Sequence, residues 1–190
     1  MLKPIATLGN PVLRQIARPL ERAELALPET RTLIDDLVET MHHANGAGIA
    51  APQIGDSRRI FAVHVQDNPR YPYKPNIPLT ILVNPVLELL GSETFDNYEG
   101  CLSVPNLRGL VRRSVHVRIT AWDRHGNDLV FEAKGLAACT YQHENDHLDG
   151  LVFVDRVEDR KTFATWADFD RFHKEAFVER AKALVARYGQ

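Results

Sequence analysis

Apolar residues recur at helical spacing between residues 28 and 44. The apolar stripe consists of Leu33, Leu37, Val38 and Met41. Residues three or four apart lie on the same face of a helix, so the pattern predicts a helix with one buried face. Asn45 and Gly46 follow it, and such residues are typical of helix C-termini.

The middle of the chain alternates between apolar and polar residues, as half-buried strands do. Residues 60–65 form one such run, and residues 111–122 form a longer one. The apolar face of the longer run consists of Val115, Val117, Ile119 and Ala121. Residues 123–126 then favour a turn, and residues 129–133 continue as a further strand.

Both ends of the chain carry helix signals. Asn10 before Pro11 predicts a short helix with an N-cap and a proline in its first turn. Near the other end, Thr165 and Asp168 form a candidate capping box for an amphipathic helix of about twenty residues within residues 160–190. Its apolar stripe consists of Trp166, Phe169, Phe177, Ala181, Leu184 and Val185.

Prolines recur at every third position between two of the predicted strands. They are Pro69, Pro72, Pro75 and Pro78. Three residues per turn is the period of a polyproline II helix, so these rings could line one face. The segment 69–78 is interpreted as a surface loop, with an edge that docks a partner as the alternative.

The composition fits one globular domain spanning residues 1–190, with 44% hydrophobic residues. A net charge of −2 does not favour nucleic acid as a partner. Cys101 and Cys139 are too few for a disulfide framework and fit a reducing compartment. Residues 1–5 lack the apolar core of a signal peptide, and polar residues interrupt the apolar stretch 79–90. A cytoplasmic protein without membrane contact is therefore expected.

A motif with metal-binding chemistry follows Gly135, where a helix is expected to begin. His143 and His147 are four residues apart, so both imidazoles share one helix face and can reach one metal ion. Glu144 lies beside the first histidine, where it can move protons to and from a water on the metal. The alternative is a solvated helix that carries two unrelated histidines.

The spacing of residues leaves the third metal ligand open, since catalytic sites of this kind use three protein ligands. Glu175 or Glu179 on the last helix would make a zinc-peptidase site. Cys139 lies one turn before His143, although three ligands on successive turns of one helix are crowded. Cys101 lies far upstream in the sequence.

Three segments together resemble the signature motifs of peptide deformylases, in the order found in that family. They are Gly46-Ala47-Gly48-Ile49-Ala50-Ala51-Pro52-Gln53, Glu99-Gly100-Cys101-Leu102-Ser103 and Gln142-His143-Glu144-Asn145-Asp146-His147. The similarity extends from about residue 4 to residue 157. The resemblance implies a hydrolase that removes the formyl group from N-formylmethionine at the start of new polypeptides and releases formate.

The resemblance also implies a role for each motif residue. One divalent metal ion would be held by Cys101, His143 and His147. Glu144 would be the general acid and base, while the side chain of Gln53 and the backbone N–H of Leu102 would stabilise the developing oxyanion. One sulfur and two nitrogens would suit zinc. The family resemblance instead implies ferrous iron, with nickel, cobalt or zinc able to occupy the site, and ferrous iron is expected here.

Substrate-binding positions follow from the same resemblance. They are Gly46, Ala47, Gly48, Glu99, Gly100, Arg108, Leu136, Cys139 and Thr140. The glycines would let a peptide backbone approach closely. Ala47, Leu136, Cys139 and Thr140 would line the pocket for the methionine side chain, which makes Cys139 a pocket wall rather than a ligand. Arg108 would lie near the bound peptide, and Glu99 with Arg113 resembles a supporting ion pair. Asn145 departs from the family pattern, in which its position is usually hydrophobic.

The fold implied is α+β. Antiparallel β-sheets would surround a central metal-binding helix, with an N-terminal helical part and a C-terminal helix outside. A zinc metallopeptidase that uses the same two histidines and a noncatalytic metal-binding relative are the alternatives. The ribosome is expected as a transient partner, with the C-terminal helix as the candidate contact.

Overall fold

The chain has an α+β arrangement in which all the strands lie between the first α-helix and the second, as a computed structural model describes for residues 1–68 and 70–189. The strands are β1 (Gly48–Ala50), β2 (Ile60–Val65), β3 (Ile77–Leu89), β4 (Thr94–Cys101), β5 (Val104–Ser114), β6 (His116–Trp122) and β7 (Asp128–Lys134). The helices are α1 (Pro28–His43), α2 (Gly135–Leu148), α3 (Phe153–Arg156), α4 (Trp166–Phe172) and α5 (Lys174–Tyr188). The expected fold class is confirmed.

Two antiparallel sheets enclose α2. One sheet has the order β1-β2-β3-β6-β7, and β4 pairs with β5 in a separate two-stranded sheet. Helix α2 contacts strands of both sheets and also α5. Residues on all sides of α2 are buried, which is the pattern of a helix enclosed by other elements rather than of a surface helix.

The predicted strand over residues 111–122 is in fact parts of two strands. Strand β5 ends at Ser114 and pairs with β4, whereas β6 begins at His116 and pairs with β3 and β7. Val115 lies between them and is buried. Because the alternation of apolar residues continues through Val115, the hydrophobic pattern alone does not reveal the change of sheet.

The N-terminal helical part is less regular than predicted, while α1 ends within one residue of its predicted end. The stretch from Pro11 to Arg14 forms a single 3₁₀ turn, in which the side chain of Asn10 accepts a hydrogen bond from Val12 N–H at 3.1 Å. The predicted stripe of α1 faces the core through Leu33, Leu37 and Met41.

The predicted C-terminal helix is two helices, α4 and α5, which meet at His173. Thr165 caps the first of them by accepting a hydrogen bond from Asp168 N–H at 3.2 Å. Eight residues of straight helix would separate Phe169 and Phe177 by about 12 Å along the axis. Their ring centroids are 6.0 Å apart, because the break turns both rings into one core.

This C-terminal core packs against β4 and the loop before β3. Phe177 contacts the rings of Tyr73, Phe95 and Tyr98, and it has no exposed surface. Among the described residues, no helix has the length and apolar character needed to cross a bilayer. Pro69 of the proline series lies outside the described residues.

Replacing Phe177 by alanine is expected to lower the free energy of unfolding of the whole chain by about 3–5 kcal/mol, because it leaves a cavity in this core. Urea unfolding followed by circular dichroism measures the change. The matched control is Phe172→Ala, since Phe172 is 62% exposed and its loss should cost no more than about 0.5 kcal/mol. If the C-terminal helices unfold in a separate transition, or if the two variants lower the free energy of unfolding equally, the prediction that residues 1–190 form one domain is wrong.

Candidate metal centre and substrate cleft

Three predicted ligands converge on one point between the two sheets. Cys101 ends β4, while His143 and His147 lie on α2, and their ligand atoms all lie within 4.8 Å of one another. Cys101 Sγ is 3.3 Å from His147 Nε2. A thiolate and two imidazoles form a donor set that fits a divalent transition metal, so the residues present fit the expected ion.

The other candidates for the third ligand do not join this cluster. Cys139 lines the nearby cleft, and burial raises the pKa of its thiol to about 12, which keeps it neutral. Glu175 and Glu179 lie on α5 with exposed side chains, and Glu179 pairs with Lys182 at 2.9 Å. The geometry therefore favours the upstream cysteine, which spacing along the chain could not single out.

The electrostatic surroundings of Cys101 favour its metal-binding form. Burial alone would raise the pKa of the thiol, but His147 and His143 outweigh burial and hold the pKa well below its usual value. Ser103 N–H also donates to Cys101 Sγ, at 3.4 Å. A thiolate, rather than a thiol, is the species that ligates a metal ion.

A buried network of charges orients His143. Its Nδ1 hydrogen-bonds to Glu99 Oε2 at 2.7 Å, which leaves Nε2 free to ligate. Arg113 donates to both oxygens of Glu99, at 2.8 and 2.9 Å, and to Asp146 at 2.7 Å. Arg156 donates to Asp146 from the solvent side, also at 2.7 Å. The predicted pair of Glu99 and Arg113 thus exists, and it is buried rather than exposed.

Burial alone would raise the pKa of Glu99, but Arg113 and His143 outweigh burial and hold it well below its usual range. The carboxylate therefore stays ionised while it accepts hydrogen bonds from both partners. A buried carboxylate that is paired in this way fixes the orientation of a metal-binding imidazole.

Glu144 is buried beside the metal ligands, and its Oε2 has no hydrogen-bond partner among residues 1–68 and 70–189. Burial raises the pKa of this carboxyl, although His143 and His147 partly oppose the rise. A base with a raised pKa is better matched to proton transfer near neutral pH. A Cβ on Gly48 would lie 2.5 Å from Glu144 Oε1, so only glycine leaves room for this carboxylate.

The side-chain amide of Gln53 has a fixed orientation. Its Oε1 accepts a hydrogen bond from Ala50 N–H at 2.8 Å, so Nε2 points toward the cluster. Nε2 is 3.1 Å from Ser103 Oγ and 3.5 Å from Cys101 Sγ. Gln53 is therefore placed to donate a hydrogen bond to an oxygen beside the metal ligands.

A cleft of about 520 Å³, including its open mouth, leads to the cluster. The predicted residues that line it are Gly46, Ala47, Gly48, Gln53, Glu99, Gly100, Cys101, Leu102, Cys139, Thr140, His143 and Glu144. The cleft is also lined by Arg70, Tyr71, Lys74, Asn97 and Tyr98, which sequence reasoning did not identify. The first three come from the loop between β2 and β3, where the proline spacing indicated a loop but not its contacts.

Two predicted substrate-binding residues do not line the cleft. Leu136 is 1% exposed and packs in the core under α5. Arg108 is equally buried: it donates to Tyr98 O at 2.6 Å, and its guanidinium lies 3.9 Å from the ring centroid of Phe169. Both residues lie behind the wall of the cleft, because the C-terminal helices cover this side of the molecule.

Asn145 points away from the cluster, as its helical position predicts. Its Nδ2 donates to Asp149 at 3.1 Å, while its buried Oδ1 has no partner among the described residues. The departure from the family pattern therefore affects the outer side of α2 rather than the metal ligands.

Comparisons with known proteins assign the chain to a family. The family model for polypeptide deformylase matches residues 2–163. "Peptide deformylase 1" of Bordetella pertussis is 47% identical over 163 residues, which cover 86% of this chain and 92% of the relative. A peptide deformylase of Leptospira biflexa is 39% identical over 172 residues, which cover 89% and 95%.

Solved structures agree with these sequence relatives. A class I type b peptide deformylase from Acinetobacter baumannii, bound to Met-Ala-Ser, has a TM-score of 0.79 at 38% identity and covers 83% of this chain and 99% of that chain. A peptide deformylase from Synechococcus elongatus in complex with actinonin has a TM-score of 0.74 at 30% identity and covers 100% and 88%. The resemblance seen in the three motifs is confirmed, and the chain belongs to the polypeptide deformylase family, whose members are metal-dependent hydrolases that remove the N-terminal formyl group from new polypeptides.

Proposed function

We propose that this chain deformylates N-formylmethionyl peptides by means of one divalent metal ion held by Cys101, His143 and His147. The observation that supports this most directly is the convergence of these three donors beside the buried carboxylate of Glu144. A bound ion would act as a Lewis acid that activates water and polarises the formyl carbonyl. The donor set of one thiolate and two imidazoles can bind several divalent ions. We therefore propose ferrous iron on the basis of the family resemblance.

Glu144 is the proposed proton carrier. It takes a proton from the attacking water as the water oxygen bonds to the formyl carbon, and it delivers that proton to the amine nitrogen as the C–N bond breaks. Formate and a free N-terminal amine are the products. Its raised pKa and its unpartnered Oε2 support this role, since a carboxylate committed to a salt bridge would be a weaker base.

Gln53 and Leu102 are the proposed donors to the oxyanion that develops on the formyl oxygen. The Gln53 amide is already turned toward the cluster by its bond to Ala50 N–H, so it would not need to reorganise during the reaction. Leu102 follows the cysteine ligand directly and lines the same cleft. Both donors are uncharged, so neither depends on a protonation change.

The substrate backbone is proposed to run between Gly46, Gly48 and Gly100, which contribute no side chains to the cleft walls. Ala47, Cys139 and Thr140 would face the first side chain of the peptide. Since Arg108 and Leu136 lie behind the wall, we propose that they support it rather than contact the peptide.

Replacing Glu144 by glutamine is expected to lower kcat for formyl-Met-Ala-Ser by about 100- to 10,000-fold, because the proton carrier is lost. Formate release from anaerobically prepared, iron-loaded protein gives the rate, and metal analysis should show unchanged occupancy. An acetylated peptide is the substrate control. If iron-loaded wild-type protein releases no formate, the noncatalytic alternative replaces this proposal.

Replacing Arg113 by methionine is expected to lower the free energy of unfolding by about 3–5 kcal/mol, because Glu99 and Asp146 would remain buried without their partner. Metal affinity should also fall by about 10–100-fold as His143 loses its fixed orientation. Chemical denaturation and competition with a chelator measure the two effects. The neighbouring Arg112→Met is the matched control, since that side chain is 55% exposed and its replacement should change stability far less. Equal effects of the two variants would contradict the role of the buried network.

A transient contact with the ribosome is proposed for the outer face of α5, where Arg180 and Lys182 are exposed. The inner face packs in the core through Phe177, so deleting the helix would expose that core and is not a clean test of the contact. Changing Arg180 and Lys182 together to glutamate is expected to weaken co-sedimentation with ribosomes while turnover of a formyl tripeptide stays unchanged. Unaltered co-sedimentation would rule out this face as the contact.

A further inference from the structure

Two histidines outside the metal centre have their ring nitrogens in direct contact. His42 lies in the last turn of α1 and His64 lies on β2, and His42 Nε2 is 2.8 Å from His64 Nδ1. Their ring centroids are 5.0 Å apart, and the ring planes meet at 61°. The rings of His143 and His147 at the metal centre are 5.3 Å apart and meet at 79°. The two pairs therefore present their imidazoles in a similar arrangement.

The distance between the facing nitrogens of His42 and His64 fits two ligands of one ion. With metal–nitrogen bonds of about 2.0–2.1 Å, two nitrogens are about 2.8–3.0 Å apart at an angle of 90° and about 3.3–3.4 Å apart at the tetrahedral angle. The observed distance is 2.8 Å. It therefore favours the tetragonal coordination of nickel(II) or copper(II) over the tetrahedral coordination of zinc.

The imidazole of His64 is in the form that ligates a metal ion. Burial and the neighbouring His42 lower its pKa, so the ring is neutral at neutral pH. A neutral imidazole has its hydrogen on one nitrogen and a lone pair on the other. In the hydrogen bond between the two rings, one of the facing nitrogens is the donor. A metal ion replaces that hydrogen once the donor ring carries its hydrogen on its other nitrogen, so no net proton is released.

The backbone holds both histidines in place and favours a cation between them. His42 O accepts a hydrogen bond from Asn45 N–H at 3.1 Å, and His64 N–H donates to Ala47 O at 3.0 Å. The carbonyl end of a helix carries partial negative charge, which stabilises a positive charge beside the last turn of α1. His42 is exposed and His64 is half-buried, so water can occupy the remaining positions around an ion.

We propose that His42 and His64 form a second metal site, which binds a divalent ion that prefers tetragonal coordination, nickel(II) or copper(II), with water as its other ligands. The site is separate from the metal centre at Cys101, and it does not depend on the proposed deformylation. A bound ion would cross-link the end of α1 to β2. The segment between them contains Gly46 and Ala47, which line the cleft.

The test counts the nickel that the full-length, tag-free chain binds in equilibrium dialysis against nickel(II). His42→Gln and His64→Gln are each expected to bind one equivalent less than the wild-type protein, because a single imidazole remains at the site. Glutamine keeps a polar side chain and removes the imidazole. The matched control is His43→Gln, since His43 is exposed and lies next to the pair without belonging to it. This control is expected to bind as much nickel as the wild-type protein.

Thermal unfolding provides a second readout, and circular dichroism verifies that each variant is folded. An ion that binds only the folded state raises Tm, so excess nickel should raise the Tm of the wild-type protein and of His43→Gln more than that of the two pair variants. Unchanged nickel counts in His42→Gln and His64→Gln, or the same loss in His43→Gln, would overturn the inference, and the two rings would then share only a hydrogen bond.

A separate variant distinguishes this site from the proposed metal centre. Cys101→Ala is expected to lose the other equivalent of nickel and to keep the one that depends on His42. If Cys101→Ala binds as much nickel as the wild-type protein, the assignment of the metal centre is wrong. The second site is still supported in that case, provided that His42→Gln and His64→Gln each lose one equivalent.

Discussion

The buried ion pair between Glu99 and Arg113 is the interaction on which the metal centre depends. It joins β4 to β5, and through His143 and Asp146 it joins both strands to α2. Removing charges from water is costly, and the arrangement is stable only because each charged group has several partners. The geometry of the cluster follows from this pairing, since Cys101 comes two residues after Glu99 on the same strand.

The cleft depends on close approach between elements that are distant in sequence. Gly48 on β1 leaves room for the Glu144 carboxylate, and a Cβ on Gly100 would lie 3.0 Å from the ring of Trp166. The glycines at these two positions are therefore needed for packing. Trp166 comes from the segment beyond residue 163, where the match to the family model ends. The C-terminal helices thus pack behind the wall of the cleft that contains Gly100.

The sequence predicted features that depend on local spacing. The four-residue interval of His143 and His147 placed both on one face of α2, and the period of α1 identified its buried side. Features that depend on contacts across the fold were not predicted. The chain passes from one sheet to the other at Val115 without interrupting the alternation of apolar and polar residues. The helix break at His173 brings together the rings of Phe169 and Phe177, which are in contact only in the folded core. Lys74 entered no sequence argument, because nothing in its neighbourhood along the chain indicates that it lines the cleft.

The most direct test of the metal centre is X-ray absorption at the metal edge of zinc-loaded protein. One sulfur neighbour at about 2.3 Å and two imidazole nitrogens at about 2.0–2.1 Å are predicted, with the sulfur contributed by Cys101. A shell of nitrogen and oxygen neighbours without sulfur would contradict the assignment of Cys101 as a ligand. It would favour a carboxylate as the third ligand, as in a zinc peptidase.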